Sequence, residues 1–187
     1  MEKVLIVVDM QNDFVSGSLG TPEAQAIVSN VRRKVESAKK KGYKIIFTRD
    51  THQANYLDTS EGKKLPVEHC IENTWGWEII DELDTENCRV INKPTFGYKE
   101  WESILSVANA EHNFFDSYTV SIETPKSIEV IGLCTDICVI ANCIILKTLY
   151  PDAEITVNAK CCAGVTPESH EAALKVMKMC QINVIGE

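Results

Sequence analysis

Lys3–Val8 reads K-V-L-I-V-V, and short runs of the same kind return at Lys44–Thr48, Arg89–Asn92, Ile128–Leu133, Glu154–Val157 and Ile182–Ile185. Apolar, β-branched runs of this length suit strands buried on both faces. Stretches with helical spacing lie between them. Thr21-Pro22 supplies an N-cap with proline at the first helical position, and Ile27, Val28, Val31, Val35 and Ala38 then recur up to Gly42. Thr166-Pro167-Glu168 repeats the device before Ala172, Ala173, Val176, Met177 and Cys180. A further helix is expected over Lys99–Ala110. This alternation predicts one domain over residues 1–187, with a three-layer α/β/α architecture and a doubly wound, mainly parallel sheet of about six strands. Two segments do not fit the pattern. Thr51–Asn73 is polar and aperiodic, and so long a loop in a compact domain is usually functional. Glu111–Lys126 reads as an insertion, with Tyr118–Ile122 a strand or an extended arm.

The 187 residues carry a net charge of −8, and the acidic residues are scattered rather than gathered in a tail. That disfavours nucleic acid and anionic membranes, which reward clustered Lys and Arg. The one basic cluster, Lys39-Lys40-Lys41 before Gly42, reads as a helix's last turn. The opening M-E-K-V-L-I-V-V-D-M is interrupted by an aspartate too early for a signal peptide, and no run approaches a membrane span. The eight cysteines lie mostly in apolar runs, which suits reduced thiols in a cytoplasmic protein. Oligomeric state is not legible, which leaves room for a homo-oligomer.

In doubly wound sheets ligands sit beyond the carboxyl ends of the strands. Here the first four dependable strands end at Asp9, Asp50, Lys93 and the turn Cys134–Cys138. Each end carries a titratable group, and together they supply a base, a cation and a nucleophile. Singly, each could be a turn cap or a structural ion pair. Thr135-Asp136 are good N-caps, which places Cys138 in a helix's first turn, where the dipole is expected to lower a thiol's pKa. On the loop after Asp50, His52, Glu61 and His69 add imidazole and carboxylate ligands that suit zinc, manganese or iron. The alternatives are a set of exposed polar residues, or a closed structural zinc site that includes Cys70.

D-M-Q-N-D-F at Asp9–Phe14, Lys93, and G-L-C-T-D-I-C-V at Gly132–Val139 resemble the isochorismatase-like cysteine hydrolases, and the resemblance runs along essentially the whole chain. R-D-T-H at Arg49–His52, followed by His69-Cys70, resembles the nicotinamidase/pyrazinamidase branch. The resemblance implies a Cys138–Asp9–Lys93 triad and a cis peptide before Cys134. It also implies an oxyanion hole made by the N–H groups of Cys134 and Cys138. A divalent metal, zinc first and manganese or iron as alternatives, would be held by Asp50, His52, Glu61 and His69. Phe14 and Phe96 would stack on the substrate. The implied reaction is hydrolysis of nicotinamide to nicotinate and ammonia through a Cys thioester, in NAD salvage. Another small amide or carbamoyl substrate is the near alternative, and a redox or metal-sensing protein the distant one. Two departures bear on the pocket wall: Pro66 stands where that branch commonly has an aromatic residue, and the Glu111–Lys126 insertion is long.

Overall fold

A computed structural model describes residues 3–112 and 118–187. Six strands form one sheet: β1 (Lys3–Val8), β2 (Lys44–Asp50), β3 (Arg89–Lys93), β6 (Ser127–Leu133), β7 (Glu154–Ala163) and β8 (Asn183–Ile185). Their order is β3-β2-β1-β6-β7-β8, and every pairing is parallel. The chain leaves β1 toward one edge and returns to pair β6 on its other side, so the topological switch falls between β1 and β6. Val4–Val8 and Ile128, Val130 and Ile131 are at most 1% exposed. Burial of these branched side chains on both faces is what makes the short runs strands.

After a short helix α1 (Asn12–Val15), helix α2 (Pro22–Lys40) starts as expected, with the Thr21 hydroxyl accepting from the Ala24 N–H at 3.0 Å. Helix α5 (Pro167–Met179) opens on a reciprocal capping box between Thr166 and Ser169. Neighbouring residues of β7 show the two outer layers. Cys161 is close to Arg33 and Lys34 of α2, whereas Cys162 is close to Cys143 of α4 (Ile140–Leu149). Both cysteines lie within β7, which runs past the expected Val157 to Ala163.

The expected helix over Lys99–Ala110 is shorter. It covers only α3 (Trp101–Leu105), and the chain then enters β4 (Val107–His112), which pairs antiparallel with β5 (Tyr118–Glu123) as a separate two-stranded sheet. Cross-strand pairing has overridden the helix preference of an alanine- and glutamate-bearing stretch. Within the Glu111–Lys126 insertion, residues 113–117 lie outside the described residues. Among the described residues, no helix is long and apolar enough to cross a membrane.

Candidate active site

The strand ends converge. Asp9 follows β1, Asp50 and Lys93 close β2 and β3, and Cys138 lies in the π-helical turn Thr135–Val139 after β6. Asp9 and Lys93 are fully buried and Cys138 is 4% exposed. Lys93 Nζ lies 2.7 Å from Asp9 Oδ2, 3.3 Å from Asp50 Oδ1 and 3.4 Å from Cys138 Sγ, and it donates to the Thr95 carbonyl at 3.2 Å. The opposite carboxylate oxygen of Asp9 accepts from the Thr48 hydroxyl at 2.7 Å. Asp9 has φ 48, a left-handed conformation fixed by its N–H bonding Thr48. The Leu133–Cys134 peptide is cis.

The electrostatics correct one expectation. Burial pushes the Cys138 thiol well above its ordinary pKa, the Asp9 carboxylate pushes the same way, and Lys93 only partly opposes them. Cys134 is likewise raised, to about 12, chiefly by burial. The helix-start effect loses because desolvating a thiolate costs more than a terminal dipole returns. Thr135 and Asp136 also do not cap. Cys134 holds the N-cap position without a side-chain bond, Thr135 Oγ1 meets His170 Nδ1 at 2.8 Å, and Asp136 accepts from the Val165 N–H. Burial therefore favours the neutral thiol at Cys138 over the thiolate. Burial raises Asp9, with Lys93 pulling it back. Burial acts to lower Lys93, but Asp9, Cys138 and Asp50 outweigh it and its pKa is raised.

On the other side of Lys93, the ligand atoms of Asp50, His52, Glu61 and His69 all lie within 4.8 Å of one another. Asp50 Oδ2 is 3.0 Å from His52 Nε2 and 3.8 Å from His69 Nε2, and Glu61 is 3.8 Å from His52 Nε2. His52 Nε2 is buried and makes no well-formed hydrogen bond. His69 Nδ1 is 2.8 Å from the Val67 carbonyl, which turns its Nε2 toward the cluster. Two imidazoles, two carboxylates and an orphaned buried nitrogen fit a divalent cation. Burial acts to raise Asp50, but His52, Lys93 and His69 hold it below its ordinary value. Cys70 is fully buried, and its sulfur is not among these atoms, so the closed zinc site that includes it does not form.

A cavity of about 560 Å³ joins the two groups. Its lining includes Cys134, Cys138, Asp50, Glu61, His69 and both expected aromatics, Phe14 and Phe96. Leu65 and Lys64 line it beside His69, and Pro66 does not reach it.

Sequence reading missed Asn142, which is buried in α4 with every polar atom engaged. Oδ1 accepts from the Tyr98 N–H and Trp101 Nε1, both at 2.9 Å, and Nδ2 donates to the carbonyls of Cys138 at 2.8 Å and Phe96 at 3.2 Å. An asparagine inside V-I-A-N-C-I-I-L was the available signal, because a buried amide must be hydrogen-bonded.

A doubly wound sheet with a buried thiol, carboxylate and ammonium at its switch point has the architecture of an α/β enzyme. The chain belongs to the isochorismatase family, whose domain model matches residues 3–186. A nicotinamidase of Saccharomyces cerevisiae is 25% identical over 217 residues, covering 99% of this chain and 100% of the relative. A probable inactive nicotinamidase of Arabidopsis thaliana is 29% identical, covering 93% of this chain and 87% of the relative. The structure of a Pyrococcus horikoshii pyrazinamidase in complex with zinc superposes with a TM-score of 0.77, at 28% identity and 100% coverage of both chains.

Proposed function

We propose that this chain acts as a single-domain metal-dependent cysteine amidohydrolase whose best substrate is nicotinamide. The observation that carries the reading is Lys93, one buried ammonium in contact with the thiol, the base and a carboxylate of the metal cluster. Asp9 takes the Cys138 proton as sulfur attacks the amide carbonyl, and Lys93 stabilises the charge that develops between them. The N–H groups of Cys134 and Cys138 receive the tetrahedral oxyanion, a contribution of about 3–4 kcal/mol per donor. Asp9 returns the proton to the departing ammonia, then deprotonates the water that hydrolyses the thioester. Phe14 and Phe96 hold the ring. A divalent cation held by Asp50, His52, Glu61 and His69, zinc first, would supply a Lewis-acid position for the substrate's ring nitrogen. We read the protein as cytoplasmic, with a small-molecule amide rather than nucleic acid or membrane as its partner.

Ammonia release from nicotinamide by zinc-loaded protein, and its loss with a chelator, tests the proposal; no turnover by metal-loaded protein refutes the substrate. One observation favours a second reading, hydrolysis of another small amide or carbamoyl compound. The 64–66 stretch brings Lys64 and Leu65 to the cavity and no aromatic ring, because Pro66 stands at the expected aromatic position and does not line it.

A further inference from the structure

The stretch that carries the base, Asp9–Asp13, also reaches the metal cluster, and the reaction outlined above does not use those contacts. Asp13 Oδ2 accepts the Cys70 N–H at 2.7 Å. Cys70 follows His69 directly and holds a left-handed conformation, φ 47, which a side chain other than glycine adopts only when its surroundings impose it. The Cys70 carbonyl in turn accepts the His52 N–H at 3.0 Å. One residue, Cys70, therefore links the backbones of the two histidines, and Asp13 holds it through its N–H.

Gln11 does the corresponding work at Asp50. Its Oε1 accepts the Asp50 N–H at 2.7 Å, and its Nε2 donates to the carbonyls of Asp50 at 2.9 Å and Trp77 at 2.8 Å. The side chain is fully buried, and these hydrogen bonds go to backbone groups rather than to the ligand atoms. Gly76 completes the arrangement, since a Cβ there would overlap the Asp13 carboxylate.

We propose that Asp13 is a positioning residue for the metal centre, acting through Cys70 on His69 and His52, with Gln11 acting likewise on Asp50. The inference rests on reading Asp50, His52 and His69 as metal ligands. Groups that orient ligands in this way commonly change metal affinity about 10–100-fold when removed.

The test is cobalt(II) binding to the full chain, read as affinity in competition with a chelator and as the cobalt absorption spectrum. Thermal melts of the metal-free proteins establish that each variant is folded. Asp13→Ala and Gly76→Ala should each bind cobalt about 10–100-fold more weakly with an altered spectrum. Asp13→Asn keeps an acceptor for the Cys70 N–H and should stay within about threefold of the native protein. Gln11→Glu keeps one acceptor but turns a carboxylate toward two carbonyls, and should bind about tenfold more weakly. Native affinity and spectrum in folded Asp13→Ala overturn the proposal while the ligand assignment stands. An equal loss in Asp13→Asn overturns it too, because charge rather than positioning would then be responsible. A native chain that takes up no cobalt refutes the ligand assignment and this proposal with it.

Discussion

Lys93 Nζ lies 3.3 Å from Asp50 Oδ1, so the ammonium beside Asp9 and Cys138 also touches a carboxylate of the Asp50–His52–Glu61–His69 cluster. Asp50 thus differs from the histidines beside it. Its second oxygen, Oδ2, faces His52 and His69, while Oδ1 serves the lysine. Replacing His52 with Ala should lower bound zinc, and saturating zinc should restore much of the activity. Asp50→Asn should lose metal as well, but excess zinc should restore little, because Lys93 has lost one counter-charge. Metal content and ammonia release measured across a zinc titration check this. Equal rescue of the two variants would separate Lys93 from Asp50 functionally.

Cys138→Ala removes the proposed nucleophile and little volume. Turnover should fall by about 10⁴-fold or more, with the far-UV spectrum unchanged. Residual ammonia release within tenfold of the native rate would assign the attack to another group.

As the proposed base, Asp9 must be ionised to accept the thiol proton, so activity should rise with pH as Asp9 loses its own. Burial raises its pKa, which places the acid limb of kcat/KM above the ordinary aspartate value of 3.8. The profile is to be measured with saturating zinc, so that loss of metal does not supply the limb. A limb at or below the ordinary value contradicts the burial argument.

Asn142→Leu removes four hydrogen bonds and strands the Trp101 and Tyr98 N–H groups. It should cost about 3 kcal/mol, read from the urea midpoint. A loss below about 1 kcal/mol would mean that water replaces the amide.

The sheet and the ends of its first strands were legible because buried parallel strands are contiguous β-branched runs, whereas β7 runs on to Ala163, well past the expected Val157. That rule alone placed Asp9, Asp50, Lys93 and the Cys134–Cys138 turn; singling out Cys138 within the turn rested on the expected helix start and on the family resemblance. The direction of the Cys138 shift was not legible, since it depends on how completely distant segments close over the sulfur. The same holds for Gln11 and Asp13, whose partners lie 39 and 57 residues away. Residues 101–112 misled for another reason. Their local preference is helical, and only pairing with β5 makes the second half a strand.

The strand order has a consequence for how the enzyme fails. Lys93 belongs to β3, which is one edge of the sheet, whereas the strands preceding Asp9 and Cys138 run through its middle. Edge strands open at lower free energy than the strands they flank. As denaturant rises, the shared cation should leave before the sheet comes apart. Activity would then disappear while the central strands are still paired, leaving a protein that looks folded but has lost the ammonium that holds its two halves of chemistry together.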